Sequence, residues 1–163
     1  MYYNINMSKV LIFETIGFAS EIKNKLKKYF TDIEKIEKLY FKNCWTYKQI
    51  LGHFINSNGH NLYIKRGDKI ISYCLCIVND EFIEILKIAT MQSQRGRGFA
   101  NSLLDKVEEF GINNSLKRIC LEVDETNNLA IDLYKKRGFQ TDGLRKKYYK
   151  NSNNNAVLMS KGI

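Results

Sequence analysis

The segment KIATMQSQRGRGFANSLL, residues 87–104, constrains the fold more than any other part of this chain. It begins as a β-rich run, passes through a loop with glycines at 96 and 98, and goes straight into a helical pattern. Glycine permits positive φ and lets a loop's backbone approach a ligand closely. The loop N–H groups and the unpaired N–H groups of the helix's first turn then converge on one place, with the helix dipole adding partial positive charge. Arg95 and Arg97 add two fixed charges. The result is an anion site built mainly from backbone and suited to a diphosphate. A basic turn, or an RGG-like contact to RNA, is the alternative reading of RGRG taken alone. The segment is not a dinucleotide fingerprint, because Asn101 stands where the third glycine belongs and no early βαβ unit frames it. Nor is it a P-loop, because no Gly-Lys-Ser/Thr follows.

The rest of the chain supplies a setting for that loop. KVLIF (residues 9–13) reads as a first strand, and Asp32 as the cap of a helix carrying Ile33, Ile36 and Tyr40 at helical spacing. A short helix follows over residues 46–55. Residues 62–66 and 69–78 are β-rich runs joined by Gly67-Asp68, a hairpin signal, and a third run, 82–90, follows the turn at Asn79-Asp80. Leu103, Leu104, Val107 and Phe110 share one face of a helix over 98–113, and ICLEV (119–123) is a strand. Asn127 or Asn128 caps a helix through Lys136, Gly138 ends it, and two last strands surround the NSNNN loop at 151–155. A meander followed by strand-helix-strand-helix-strand predicts an α/β layered fold with a mixed sheet. With 163 residues, no internal repeat and no linker, one domain spanning residues 1–163 is expected.

Several classes are set aside. No run approaches the ~20 apolar residues of a membrane helix, and the N-terminus lacks the features of a signal peptide, so a cytoplasmic protein with no membrane partner is expected. Four cysteines without a CxxC, and only His53 and His60 beside them, argue against a disulfide framework or a metal cluster. They read as free thiols, with Cys74 and Cys76 on one face of a strand. The net charge of +9 draws an anionic partner, whether nucleic acid, membrane or a polyphosphate cofactor, although KNKLKK (23–28) and RKKYYK (145–150) also read as plain solvated runs.

Arg95-Gly96-Arg97-Gly98-Phe99-Ala100 resembles the Gln/Arg-x-x-Gly-x-Gly/Ala acetyl-CoA loop of the GNAT superfamily. Within it the likeness is to bacterial ribosomal-protein-alanine N-acetyltransferases and related protein N-terminal acetyltransferases. It runs ungapped over residues 85–149, through LEV-DETNNLAIDLYKKRGF (121–139) and LRKKYY (144–149), with a weaker echo in IEKLYFKNCWT (36–46). The resemblance implies a mixed, mostly antiparallel central sheet flanked by helices, with acetyl-CoA as cofactor. It implies backbone contacts from Ile88, Ala89 and Thr90 to the pantetheine arm and thioester, and a pyrophosphate held by Arg95, Gly96, Arg97, Gly98, Phe99, Ala100 and Asn101. Asn127 would contact the cofactor from the other side, with Glu122 the general base and Tyr134 the general acid. Trp45, Tyr148 and Tyr149 are candidates for the acceptor groove, and equally for core or surface aromatics. The family's prolines are replaced by Gln92, Cys44 and Lys150, and its acidic residue near the last strand by Asn155, which bears on acceptor choice.

The chemistry is reasonable from the residues up. An amine attacks a thioester only when neutral; a protein α-amine of pKa ~8 is roughly a tenth neutral at pH 7, a lysine about a thousandth. A carboxylate such as Glu122 is a poor base toward the ammonium ion but can act through a water once attack has made the nitrogen acidic. Its plain alternative is a strand carboxylate paired with a surface lysine. Tyr134 shares a helix face with Ala130 and Leu133, so a core tyrosine is the alternative there. A phenol near 10 donates to a thiolate near 8.5 uphill, which predicts a stabilising hydrogen bond rather than full protonation. The expected activity is acetyl transfer to the N-terminal α-amine of a protein, such as a ribosomal protein. A small-molecule amine is the alternative acceptor. A non-catalytic RNA-binding module is the competing class, although the chain lacks the aromatic-and-basic strand signature of an RNA-recognition sheet.

Overall fold

The computed structural model describes residues 10–13, 20–149 and 152–163, with side chains described for 27–149 and 152–163. Most of the N-terminal segment read above as leaderless, and Lys150, lie outside the described residues.

Gly67-Asp68 makes the expected hairpin, with Gly67 at φ +58°, between β2 (Gly59–Arg66) and β3 (Lys69–Val78). Strand β2 begins at Gly59, earlier than its apolar run, because His60 and Asn61 pair with Cys76 and Leu75 before the hydrophobic residues start. Strand β4 (Phe82–Thr90) lies antiparallel to β3, and β1 (Val10–Phe13) flanks β2. The chain then forms α3 (Phe99–Asn113), β5 (Arg118–Asp124), α4 (Asn128–Lys136), β6 (Gln140–Tyr149) and β7 (Asn154–Gly162). The sheet order is β1-β2-β3-β4-β5-β7-β6, and among the described strands the pairing is parallel only between β4 and β5. A mixed, mostly antiparallel sheet flanked by helices is thus what forms.

Helices α1 (Ser20–Tyr40) and α2 (Tyr47–Phe54) cover one face, burying Tyr29, Phe30, Ile33, Ile36 and Ile50 against Tyr63, Tyr73 and Leu75. Helices α3 and α4 cover the other with Leu103, Leu104, Val107 and Tyr134 against Cys74, Ile83, Ile85 and Leu121. Strand β3 is covered on both faces, which is why residues 70–76 read as one unbroken buried run. Cys74 and Cys76 are buried free thiols on the same face, while Cys44 and Cys120 are half-buried. Among the described residues no helix is long and apolar enough to cross a membrane.

Asp32 is not a cap. It lies inside α1, which runs unbroken from Ser20, and its Oδ2 accepts the N–H of Ile70 at 3.3 Å. Strand β3 carries a bulge at Ile71, between Ile70 paired with Lys65 and Ser72 paired with Ile64. A bulge disturbs the ladder there, and the carboxylate binds a sheet N–H instead of a helix end. Thr46 does cap α2, in a reciprocal capping box with Gln49.

His60, 5% exposed, stacks on Phe110 with ring centroids 3.8 Å apart, and its Nε2 has no hydrogen-bond partner among the described residues. Burial lowers its pKa to about 4. The unfolded chain therefore takes up this proton near pH 6.5 and the folded chain only near 4, so stability present above 6.5 is lost as pH falls through that window. This one group costs about 2 kcal/mol between pH 7 and pH 5. Urea titrations at the two pH values should show that loss in the wild type and a smaller one in His60→Gln.

Candidate active site

The site begins where two parallel strands part. Pairing of β4 with β5 covers Phe82–Ile85 against Arg118–Leu121 and stops there, although the strands run on to Thr90 and Asp124. At that point β4 inserts one extra residue, Leu86, since Cys76 faces Ile85 and Leu75 faces Lys87. A bulge bends its strand and raises the local twist, and here it carries the end of β4 away from β5. The Met91 N–H donates to Ile71 C=O at 2.9 Å, which sets the phase of the antiparallel ladder. Lys87 and Ala89 therefore bond toward β3, while the backbone groups of Ile88 and Thr90 turn toward the gap.

A single turn of 3₁₀ helix, Gln92–Gln94, leads from β4 to the glycine loop. The Gln92 N–H donates to Tyr40 Oη at 2.7 Å, a bond that a proline at 92 could not make. The Tyr40 ring also lies 4.5 Å from the Arg95 guanidinium, whose Nε donates to Thr90 C=O at 3.2 Å. Gly96 and Gly98 sit at φ +73° and +81°, and a Cβ at either would meet nothing within 4 Å, so conformation rather than space demands glycine. Gly98 is the N-cap of α3 and has no side chain to accept from the first turn. Ser102 N–H reaches Gly98 C=O at 3.0 Å, leaving the N–H groups of Phe99, Ala100 and Asn101 at the open helix end. The Asn101 side chain faces away and accepts from Arg137 at 3.3 Å.

Across the gap Asn127 caps α4 by accepting from Ala130 N–H at 3.3 Å. Two helix N-termini thus follow the C-terminal ends of adjacent parallel strands, the place where open α/β sheets bind ligands.

Alternation along β5 buries Ile119, Leu121 and Val123 under the helices and turns Cys120, Glu122 and Asp124 to the opposite face. There Glu122 pairs with Arg145 at 2.8 Å. Glu84, opposite Cys120 in the parallel ladder, joins the same cluster: burial raises its pKa, the Glu122 charge adds to this, and Arg145 opposes it. The Tyr148 phenol is also raised, by burial first and then by the Glu122 carboxylate, with Arg145 opposing. Tyr149 rises to about 12, through burial first and then Asp124, Tyr148 and Glu122. Tyr134, 5% exposed on the helix side, is raised by burial, with Cys74 and Tyr149 contributing. Tyr149 therefore stands within electrostatic reach of both Glu122 and Tyr134. The ring of Trp45 packs edge-on to His53 with centroids 5.4 Å apart.

The family described as "Acetyltransferase (GNAT) family" matches residues 19–139. The chain belongs to the GNAT acetyltransferase family. It is an acetyl-CoA-dependent N-acyltransferase, as the resemblance implied. A Bacillus subtilis (strain 168) protein named "Putative ribosomal protein bS18-alanine N-acetyltransferase" is 31% identical over 129 residues, 78% of this chain and 85% of that protein. The crystal structure of the ribosomal-protein-S18-alanine N-acetyltransferase from Escherichia coli superposes with TM-score 0.79 at 19% identity, covering 95% of this chain and 93% of that one. Nourseothricin acetyltransferase superposes with TM-score 0.61 at 21% identity, over 64% of this chain and 65% of its own.

Three features of this GNAT site escaped the sequence reading. Arg145 reads as part of a basic run, yet it is the partner of the strand carboxylate, for which a surface lysine is the sequence's plain alternative. Glu84 becomes visible only once β4 and β5 are known to be parallel neighbours. The third is the fastening of the β6–β7 hairpin: Asn155 donates to Glu125 at 2.8 and 2.9 Å and accepts from Lys147 N–H at 2.9 Å, while Asn154 donates to Asp124 at 3.0 Å.

Proposed function

We propose that this enzyme acetylates the N-terminal α-amine of a protein, a ribosomal protein in particular, by direct attack of the amine on the thioester. The observation that carries the proposal is the carboxylate cluster at Glu122, placed on the open sheet face beside the parting strands. Support for the acceptor comes from the relative named for ribosomal-protein alanine acetylation. The fold leaves the acceptor open, because nourseothricin acetyltransferase shares it.

The residues present fit acetyl-CoA. The uncapped first turn of α3, the positive φ at Gly96 and Gly98, and Arg95 and Arg97 suit a pyrophosphate. Ile88 and Thr90 offer backbone groups in the gap for a pantetheine arm, with Ala89 holding the strand to β3 between them. Asn127 stands on the other side, as the N-cap of α4.

Acetyl-CoA supplies an activated acetyl group and a thiolate leaving group. The neutral amine forms the C–N bond as the C–S bond breaks. Glu122, directly or through one water, takes the proton that the nitrogen then sheds. Arg145 fixes the carboxylate at the edge of the gap. Burial keeps the Tyr134 phenol protonated, so it donates a hydrogen bond to the sulfur as charge develops and keeps its own proton. Tyr148 and Tyr149 line the approach from the β6 side, where the phenols and Glu122 present acceptors to an incoming ammonium.

Incubation with acetyl-CoA and a panel of ribosomal-protein N-terminal peptides, with and without blocked α-amines, should give mass-shifted product only from free N-termini. Turnover of a small amine with no peptide product would replace this acceptor. Glu122→Gln should lower kcat by about 10- to 1000-fold with unchanged acetyl-CoA affinity, and Tyr134→Phe by about 10- to 100-fold. Gly98→Val should abolish acetyl-CoA binding by calorimetry, since valine resists φ +81° at the helix cap.

A further inference from the structure

One charged cluster lies outside the chemistry described so far. Glu37 of α1 is completely buried, and three groups satisfy its carboxylate. The Tyr73 hydroxyl donates to Oε1, the Trp45 N–H donates to Oε2 at 2.8 Å, and Lys87 Nζ lies 3.3 Å from Oε2. The Lys87 side chain is 13% exposed. Its ammonium also donates to Asn43 C=O at 3.1 Å and lies 4.1 Å from the centroid of the Phe41 ring. One lysine therefore joins a strand of the sheet to both ends of the α1–α2 connection, residues 41–46.

The placement follows from the bulge at Leu86. Without that extra residue Lys87 would continue the alternation of Ile83 and Ile85 and point into the apolar layer under α3. The bulge reverses the facing, so Lys87 meets Glu37 while its neighbour Ile88 opens its backbone to the gap. A buried ion pair contributes little net stability, since desolvation offsets the attraction. A pair so fully satisfied fixes geometry instead.

We propose that Lys87 is a positioning residue, tying the α1–α2 connection and Trp45 to the half of β4 that faces the thioester. Cofactor binding on β4 and acceptor binding beside the connection then act on one body. The inference rests on the functional reading above only for its kinetic arm, because Trp45 is the single tryptophan of the chain and reports on the connection by itself.

The test compares wild type, Lys87→Met and Lys87→Arg. Acetyl-CoA should change Trp45 emission in the wild type. Lys87→Met should abolish that response while acetyl-CoA affinity stays within about 2-fold, and should raise the acceptor-peptide KM about 10-fold with kcat within about 3-fold. Lys87→Arg, which can pair with Glu37 again, should restore both. Should Lys87→Met not fold with its buried carboxylate unpaired, the double variant Glu37→Gln/Lys87→Met removes both charges and should show the same loss of response. Trp45 emission indifferent to acetyl-CoA in the wild type would overturn the proposal. So would a Lys87 variant that keeps the response, or one whose affinity, kcat and Tm all fall together. If no peptide is acetylated by the wild type, the functional reading fails and the emission arm still decides this one.

Discussion

A single inserted residue organises this molecule. Leu86 ends the β4–β5 ladder, opens the gap between two parallel strands and reverses which side chains of β4 face which layer. Every candidate contact for acetyl-CoA lies downstream of that event. The backbone of Ile88 faces the gap unpaired with β5 because β5 has moved away, while Thr90 C=O there accepts from Arg95 Nε. An edge left open inside a sheet is costly, since each unpaired N–H and C=O forgoes its ladder bond. Here the strand edge lies between two helix N-termini, which limits its access to an added strand.

The charge of the chain and the charge of the site differ in sign. The whole protein carries +9, yet the open sheet face brings together Glu84, Glu122 and Asp124 with Arg145 as the cation paired to Glu122. Screening limits surface charges to about 8–10 Å at physiological salt, so an approaching ammonium responds chiefly to the nearest carboxylates. The distant lysines add an anion-attracting field that suits a polyphosphate entering at the α3 end. In the proposed arrangement the two substrates meet opposite local potentials on one basic molecule. A basic tail as acceptor is compatible with this arrangement despite the net charge of +9.

What could be read from the chain followed how local the determinants are. The hairpin at Gly67-Asp68, the glycine loop and a cap at Asn127 or Asn128 depend on neighbours in sequence and are legible there, whereas the Thr46 cap is read from the fold. Asp32 looks like a cap because aspartate is a good N-cap residue before Ile33 and Ile36, yet Ile22, Leu26, Tyr29 and Phe30 carry the same helical period upstream of it; only the fold shows Ile70 N–H beside it. The Glu37–Lys87 pair was illegible for the same reason, being 50 residues apart in sequence and dependent on a bulge that leaves no mark within FIEILKIAT. The insertion of β7 between β5 and β6 also lies beyond sequence, since both strands of a hairpin alternate alike.

The departures from the family pattern acquire a physical meaning in this light. Where a proline would stiffen the turn after β4, Gln92 instead donates its N–H to Tyr40, whose ring in turn carries Arg95. The rigidity that proline builds into one residue's φ is here distributed over a contact between α1 and the loop. Asn155 likewise keeps the β6–β7 hairpin in place by binding Glu125 and the backbone of Lys147, which holds φ +51°. A carboxylate at 155 would repel Glu125 and could not donate to it. The amide therefore gives up an acidic contact toward the acceptor and gains a fixed hairpin. In this chain the turn after β4 and the β6–β7 hairpin are held by hydrogen bonds between elements, so the geometry of the proposed acceptor side is tied to α1 and β5 rather than set within the loops themselves.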